Sequence, residues 1–135
     1  MCLGVVYNRR SVKCWERMVA GLCENCKYLI AMFEAARLSP HFSYLHMLSL
    51  LESQEKNRWI LLEAGDCPTS EAVRCLEAER HYTIRHYFKC VTCFRYFYIG
   101  ACIRGTPVYQ VLDDLEQENL ERVLWGRTGY RFRNY

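Results

Sequence analysis

Two Cys-x-x-Cys pairs, Cys23-Glu24-Asn25-Cys26 and Cys90-Val91-Thr92-Cys93, are the residues whose type and spacing point most directly to chemistry. The spacing lets the two thiolates of a pair face one ion, and two such pairs complete a tetrahedral zinc shell. That shell has no open position, so the expected ion is structural and no catalytic residue is assigned. The pairs stand further apart than the ligands of short zinc fingers, so the site is expected to staple a helix to a hairpin. Binding energy of such a metal is folding energy. Two other ligand sets stay open. His81, His86, Cys90 and Cys93 form a local set, and Cys23, Cys26, Cys67 and Cys75 form a second. Metal-free burial is a further alternative, because Cys26 falls on an apolar helical stripe where a free thiol packs as a small hydrophobe.

Enzyme signatures are missing. The chain has no Gly-rich phosphate loop, no Gly-x-Ser-x-Gly and no His-Glu-x-x-His. No His-x-Glu precedes a Pro-Cys-x-x-Cys, which excludes the zinc deaminase signature. His41, His46, His81 and His86 are scattered, so a non-enzyme is expected.

Three segments could meet a partner. Leu22, Cys26 and Ile30 have the spacing of an elongin-binding box, in which a helix lays three anchors into a groove. The same spacing is that of ordinary core positions on an amphipathic helix. Val73-Arg74-Cys75-Leu76-Glu77 has the spacing of a retinoblastoma-pocket ligand, with Val for Leu and in a helical setting. Near the end, Trp125, Arg127, Tyr130, Arg131 and Arg133 interleave guanidinium and aromatic groups. Such a tail suits a protein interface first, and nucleic acid as the alternative.

These residues need elements to hold them. Apolar steps of three and four predict one long helix over residues 11–38, with Ser11 as its N-cap. Ser39-Pro40 opens a second helix over 41–56, with Phe42, Leu45, Leu48 and Leu51 inward. A short apolar run at 58–62 reads as a strand or buried turn, and 69–80 as a short helix. Residues 82–88 and 94–103 read as strand, knuckle, strand around Lys89-Cys90-Val91-Thr92-Cys93. Gly105-Thr106-Pro107 precedes a last helix over 108–125. The expected fold class is α+β, mostly helical: a long N-terminal helix pair, a short cysteine-bearing hairpin and a C-terminal helix. Residues 1–125 form one domain and 126–135 a basic, aromatic tail.

Composition agrees with a folded module. With 135 residues, 51% of them hydrophobic, the chain can bury one real core. A net charge of +3 is too small to imply nucleic acid by itself. No secretory signal and no run near the ~20 apolar residues of a membrane span is read. The expected location is therefore cytoplasmic or nuclear. There the nine cysteines stay reduced, so a disulfide framework is disfavoured.

A cysteine cluster precedes a hydrophobic stretch at Leu22-Cys23-Glu24-Asn25-Cys26; Trp59 is followed by Cys67 and Cys75; an Arg-Gly step lies in Cys102-Ile103-Arg104-Gly105. In this order the pieces resemble the adenovirus early-region-four 34-kilodalton family, over about half of a chain shorter than its typical members. The compact, cysteine-rich build is also similar to papillomavirus early zinc-binding oncoproteins, without their Cys-x-x-Cys spacing. The adenoviral resemblance implies an early viral accessory protein that recruits a host ubiquitin ligase to cellular targets. The function expected is thus a protein-interaction adaptor with a structural zinc, the alternative a nucleic-acid-binding regulator using the Arg/aromatic tail.

Overall fold

The structure, a computed structural model, describes residues 23–39, 42–116 and 118–120. Its frame is a four-stranded antiparallel sheet in the order of the chain. The strands are β1 (Ile60–Gly65), β2 (Thr83–Cys90), β3 (Tyr96–Cys102) and β4 (Val108–Leu112). Among the described residues the helices are short: α1 (Lys27–Arg37), α2 (Tyr44–Lys56) and α3 (Ala72–Ala78), the last entered through a 3-10 turn at Thr69–Glu71, with residues 118–120 also helical. None of these helices is long and apolar enough to cross a membrane.

Alternation explains the sheet. Along β2 every second residue is buried, so Ile84, His86, Phe88 and Cys90 line one face. Successive side chains of a strand point to opposite faces, so this pattern buries one side of the sheet. On β3 the same face carries Phe97, Ile99 and Ala101, and on β4 it carries Tyr109. Helix α1 lies against β4, and α2 against β1. Leu29, Ile30, Phe33 and Ala36 recur at helical spacing and form the buried stripe of α1. Phe33 is the keystone: its ring meets Phe97 at 5.2 Å and Tyr109 at 5.8 Å, both edge-on. Each such fully buried side chain contributes about 2–3 kcal/mol of transfer free energy.

One irregularity changes which side of the sheet is used. The register between β1 and β2 shifts between Leu62 and Ala64. The extra residue of a bulge turns the following side chains over. Ala64 therefore pairs with Tyr87, and a small cluster of Ala64, Tyr87, Leu115 and Leu120 forms away from the main core.

The mostly helical expectation is corrected by these elements. No long N-terminal helix pair frames the described residues. The first helix does not run through residues 23–26, which form a turn, and α1 is 11 residues long. Residues 11–22 of the expected helix lie outside the described residues. The second helix starts at Tyr44, where the Ser43 hydroxyl accepts from the His46 N–H at 3.3 Å. Its inward side is Met47, Leu48 and Leu51, while Leu45 is exposed. The start of the expected C-terminal helix is a strand instead, over Val108–Leu112; residues 118–120 are helical, and 117 and 121–125 lie outside the described residues. Val108 and Val111 fit a helical face and a strand alike, and the open edge of β3 decides between them. Pro107 precedes the strand and does not interrupt its ladder. The strand–knuckle–strand reading matches β2 and β3. Residues 126–135, the expected tail, lie outside the described residues.

Candidate metal centre

Helix α1 begins immediately after a tight turn. The Cys26 and Lys27 N–H groups both donate to the Cys23 carbonyl oxygen, at 3.3 and 3.0 Å. Cys26 occupies the N-cap position, yet its sulfur makes no capping hydrogen bond. The sulfur turns instead to the Cys93 thiol, 3.5 Å away.

The second pair comes from the connection between β2 and β3. Here the Cys90 N–H donates to the Arg95 carbonyl oxygen at 2.8 Å, and the Phe94 N–H returns to the Cys90 carbonyl oxygen at 3.0 Å. Closing so short a loop needs a left-handed residue, and Phe94 supplies it with φ of 66°. The Thr92 N–H then points at the Cys90 sulfur, 3.4 Å away. Cys23 completes the set, its sulfur 3.7 Å from that of Cys90.

Cys23, Cys26, Cys90 and Cys93 thus place four sulfurs within 4.8 Å of one another. A tetrahedral zinc with bonds of about 2.3 Å separates its sulfurs by ~3.8 Å. The cluster matches that size, and it is far wider than the about 2.05 Å of a disulfide. The two contacts at 3.5 and 3.7 Å join residues 67 positions apart, so each ties the α1 entry turn to the β2–β3 hairpin.

The electrostatics divide the thiols. Burial raises the Cys90 thiol, but the N–H groups of Cys93 and Thr92 and the neighbouring thiols bring it down to about 7. Burial pushes Cys26 well above its ordinary value, and the Cys93 and Cys23 thiols add to that. Cys23 is also raised by burial. Four thiols packed this closely cannot all ionise without a cation among them, and one of them already ionises near neutral pH. Arg95 adds a positive group, its Nη1 donating to the Cys93 sulfur at 3.6 Å.

The other ligand sets do not assemble. His86 is fully buried, and its Nε2–H donates to the Cys67 carbonyl oxygen at 2.7 Å. Cys67 and Cys75 pack with Leu48, Ala72 and Ile84 under α3. Val73 and its neighbours through Glu77 lie in that helix, as the sequence suggests. For the box-like spacing, Leu22 lies outside the described residues, while Cys26 and Ile30 are 1% and 4% exposed. Both side chains are core, so they offer a partner groove no anchor. Trp125, Arg127, Tyr130, Arg131 and Arg133 lie outside the described residues.

Sequence reasoning took Trp59 only as part of the adenoviral resemblance and not as a residue of this site. Its carbonyl oxygen accepts from the Val91 N–H at 3.1 Å and from the Asn25 side chain at 3.5 Å, so it bridges both halves of the centre. Its ring is exposed and borders a groove of about 270 Å³ between α1 and α2, with Glu24, Asn25, Tyr28, Met32 and Leu50. A Trp within the short apolar run 58–62 was the available signal. Arg95 was missed as well, since nothing in its spacing marks it as a sulfur partner. No protein-family model, curated protein or solved structure matches this chain.

Proposed function

We propose that this protein is a non-enzymatic interaction adaptor whose α1 entry turn and β2–β3 knuckle are clamped by one structural zinc. The observation that carries the reading is the closed set of four sulfurs from two distant segments, all within 4.8 Å of one another. An all-sulfur tetrahedral set selects zinc or iron among common metals, and zinc suits a purely structural role. Cys23, Cys26, Cys90 and Cys93 would hold the ion, which supplies folding free energy when bound. No position of the shell is left for a substrate or water, which supports a structural and not a catalytic centre.

What supports docking is the groove beside the centre. Tyr28, Met32 and Trp59 are exposed there, 75%, 37% and 44% respectively, on elements that the clamp holds in place. Aromatic and Met side chains of this kind are favoured anchors for a protein partner. The ubiquitin-ligase recruitment that the adenoviral resemblance implies would use a surface of this kind and not Cys26 and Ile30, which are core residues.

The test has two arms. Metal analysis of the purified protein should give one zinc per chain, and iron or no metal would remove the clamp from the proposal. Affinity capture from cell extract should give a partner that is lost with Trp59→Ala and Met32→Ala and kept with a change on α3, such as Glu77→Ala. A captured partner indifferent to the groove would overturn the docking surface. For the nucleic-acid alternative through residues 126–135, the mark is binding that weakens steeply with salt.

A further inference from the structure

The four thiols are not equivalent toward solvent. Cys23 and Cys93 are half-buried, whereas Cys26 and Cys90 are 1% and 0% exposed. The two thiol–thiol hydrogen bonds that cross the site pair an accessible sulfur with a buried one from the other element: Cys23 with Cys90 at 3.7 Å, and Cys93 with Cys26 at 3.5 Å. An oxidant therefore meets a sulfur whose resolving partner already touches it from across the site.

We propose that peroxide oxidation of this centre yields two disulfides, Cys23–Cys90 and Cys26–Cys93, each joining the α1 entry turn to the β2–β3 knuckle. In each half the accessible sulfur, once deprotonated, attacks one peroxide oxygen, the O–O bond breaks and hydroxide leaves. The resulting sulfenic acid is attacked by the buried sulfur, once deprotonated in turn, which expels a second hydroxide as the S–S bond forms. Two thiolates lose two electrons to one peroxide, and two protons convert the hydroxides to water. Two peroxides and four protons are consumed for both bonds, and a bound zinc leaves as Zn²⁺. The sulfurs must close from 3.5 and 3.7 Å to about 2.05 Å, a shift of about 1.5 Å shared between two side chains.

The rival products are loops within each Cys-x-x-Cys pair. A bond joining residues 67 positions apart stabilises the fold more than one within a Cys-x-x-Cys pair, because it removes more entropy from the unfolded chain. Cross-element pairing has a consequence that the rival lacks. The metal is released while α1 stays fastened to the hairpin, so the oxidised protein keeps its fold. The release of zinc rests on the proposed metal clamp; the pairing itself does not.

The experiment titrates the purified protein with hydrogen peroxide, with and without prior metal removal. Zinc is read with a colorimetric chelator, tertiary structure by near-ultraviolet circular dichroism, and disulfides by mass spectrometry after cleavage at Glu24 and Val91. The expected result is one zinc per two peroxides, Cys23 linked to Cys90, Cys26 linked to Cys93, and a retained tertiary signal. Loops 23–26 and 90–93, over-oxidised sulfurs, or loss of the tertiary signal would overturn the proposal. The metal-free Cys23→Ser/Cys90→Ser variant should still form Cys26–Cys93. The Cys23→Ser/Cys93→Ser variant keeps only the two buried sulfurs, and should oxidise at least about tenfold more slowly; equal rates would also overturn it. Protein isolated without metal would defeat the clamp, while the metal-free arm would still read the pairing.

Discussion

His86 and Cys67 are joined inside the core by a hydrogen bond of 2.7 Å, in which the imidazole Nε2–H donates to the Cys67 carbonyl oxygen. The other ring nitrogen, Nδ1, is buried with no partner. The imidazole stacks at 6.1 Å on Phe88, and a Cβ at Gly65 would approach its Cδ2 to 2.8 Å. This is a packed, neutral histidine and not a metal ligand.

A pH dependence follows from that burial. Desolvation lowers the His86 pKa from 6.5 to about 4, against the small opposing pull of the Cys67 carbonyl. The unfolded chain takes up its proton near 6.5, while the folded protein resists until about 4. Stability is therefore full above 6.5 and falls as pH drops through that window, by up to about 3 kcal/mol. Denaturant midpoints measured from pH 7 to 4.5 should decline more steeply for this protein than for His86→Leu. Equal slopes would show that the imidazole is protonated or solvated in the fold.

On the proposed zinc clamp, removal of one sulfur should release the metal. Cys90→Ser takes away the thiol that ionises most readily, and is expected to lose zinc and more than about 3 kcal/mol of stability. Cys102→Ser, whose thiol is outside the cluster, should keep both. Inductively coupled plasma analysis and thermal melts of the two variants check this directly.

The ring of Phe33 tests the helix-on-sheet core. It is 1% exposed and wedged between Phe97 and Tyr109. Phe33→Ala should cost about 3–5 kcal/mol in chemical denaturation. A cost below about 1 kcal/mol would mean that α1 does not seat on β3 and β4.

Backbone strain is the issue at Phe94. Its φ of 66° is one that L-residues adopt at a cost of about 1–2 kcal/mol. The side chain is 58% exposed, so little burial is lost when it is removed. Phe94→Gly should retain zinc and gain up to about 1 kcal/mol, whereas Phe94→Val should destabilise. Melting temperatures of the metal-loaded variants decide it, and a stabilised valine variant would contradict the left-handed turn.

The hairpin and its thiols were legible before any fold was known. Alternation in 82–88 marks a half-buried strand, and Cys90 to Cys93 interrupts two strands with a knuckle. The helical stripe from Leu29 to Phe33 is equally plain, because periodicity is a local property of the chain. Val108 to Leu112 was not legible as a strand. Its valines three apart suit a helix face, and only the unpaired edge of β3, reached through Gly105 and Pro107, makes pairing the better outcome. The break at Cys23 to Cys26 was hidden for a similar reason, since Cys26 continues the apolar stripe of the helix that follows.

By itself the sequence determined the chemical inventory: two thiol pairs, a cysteine-bearing hairpin, apolar stripes for helices, and no enzyme motif. Which of several ligand sets would assemble was decided only in three dimensions. Cys23 and Cys26 meet Cys90 and Cys93 because α1 lies across the sheet that carries the knuckle, while His86 points from β2 into the core toward Cys67. Spacing along a chain constrains neighbours within a turn; contacts 67 positions apart depend on which faces the chain buries together.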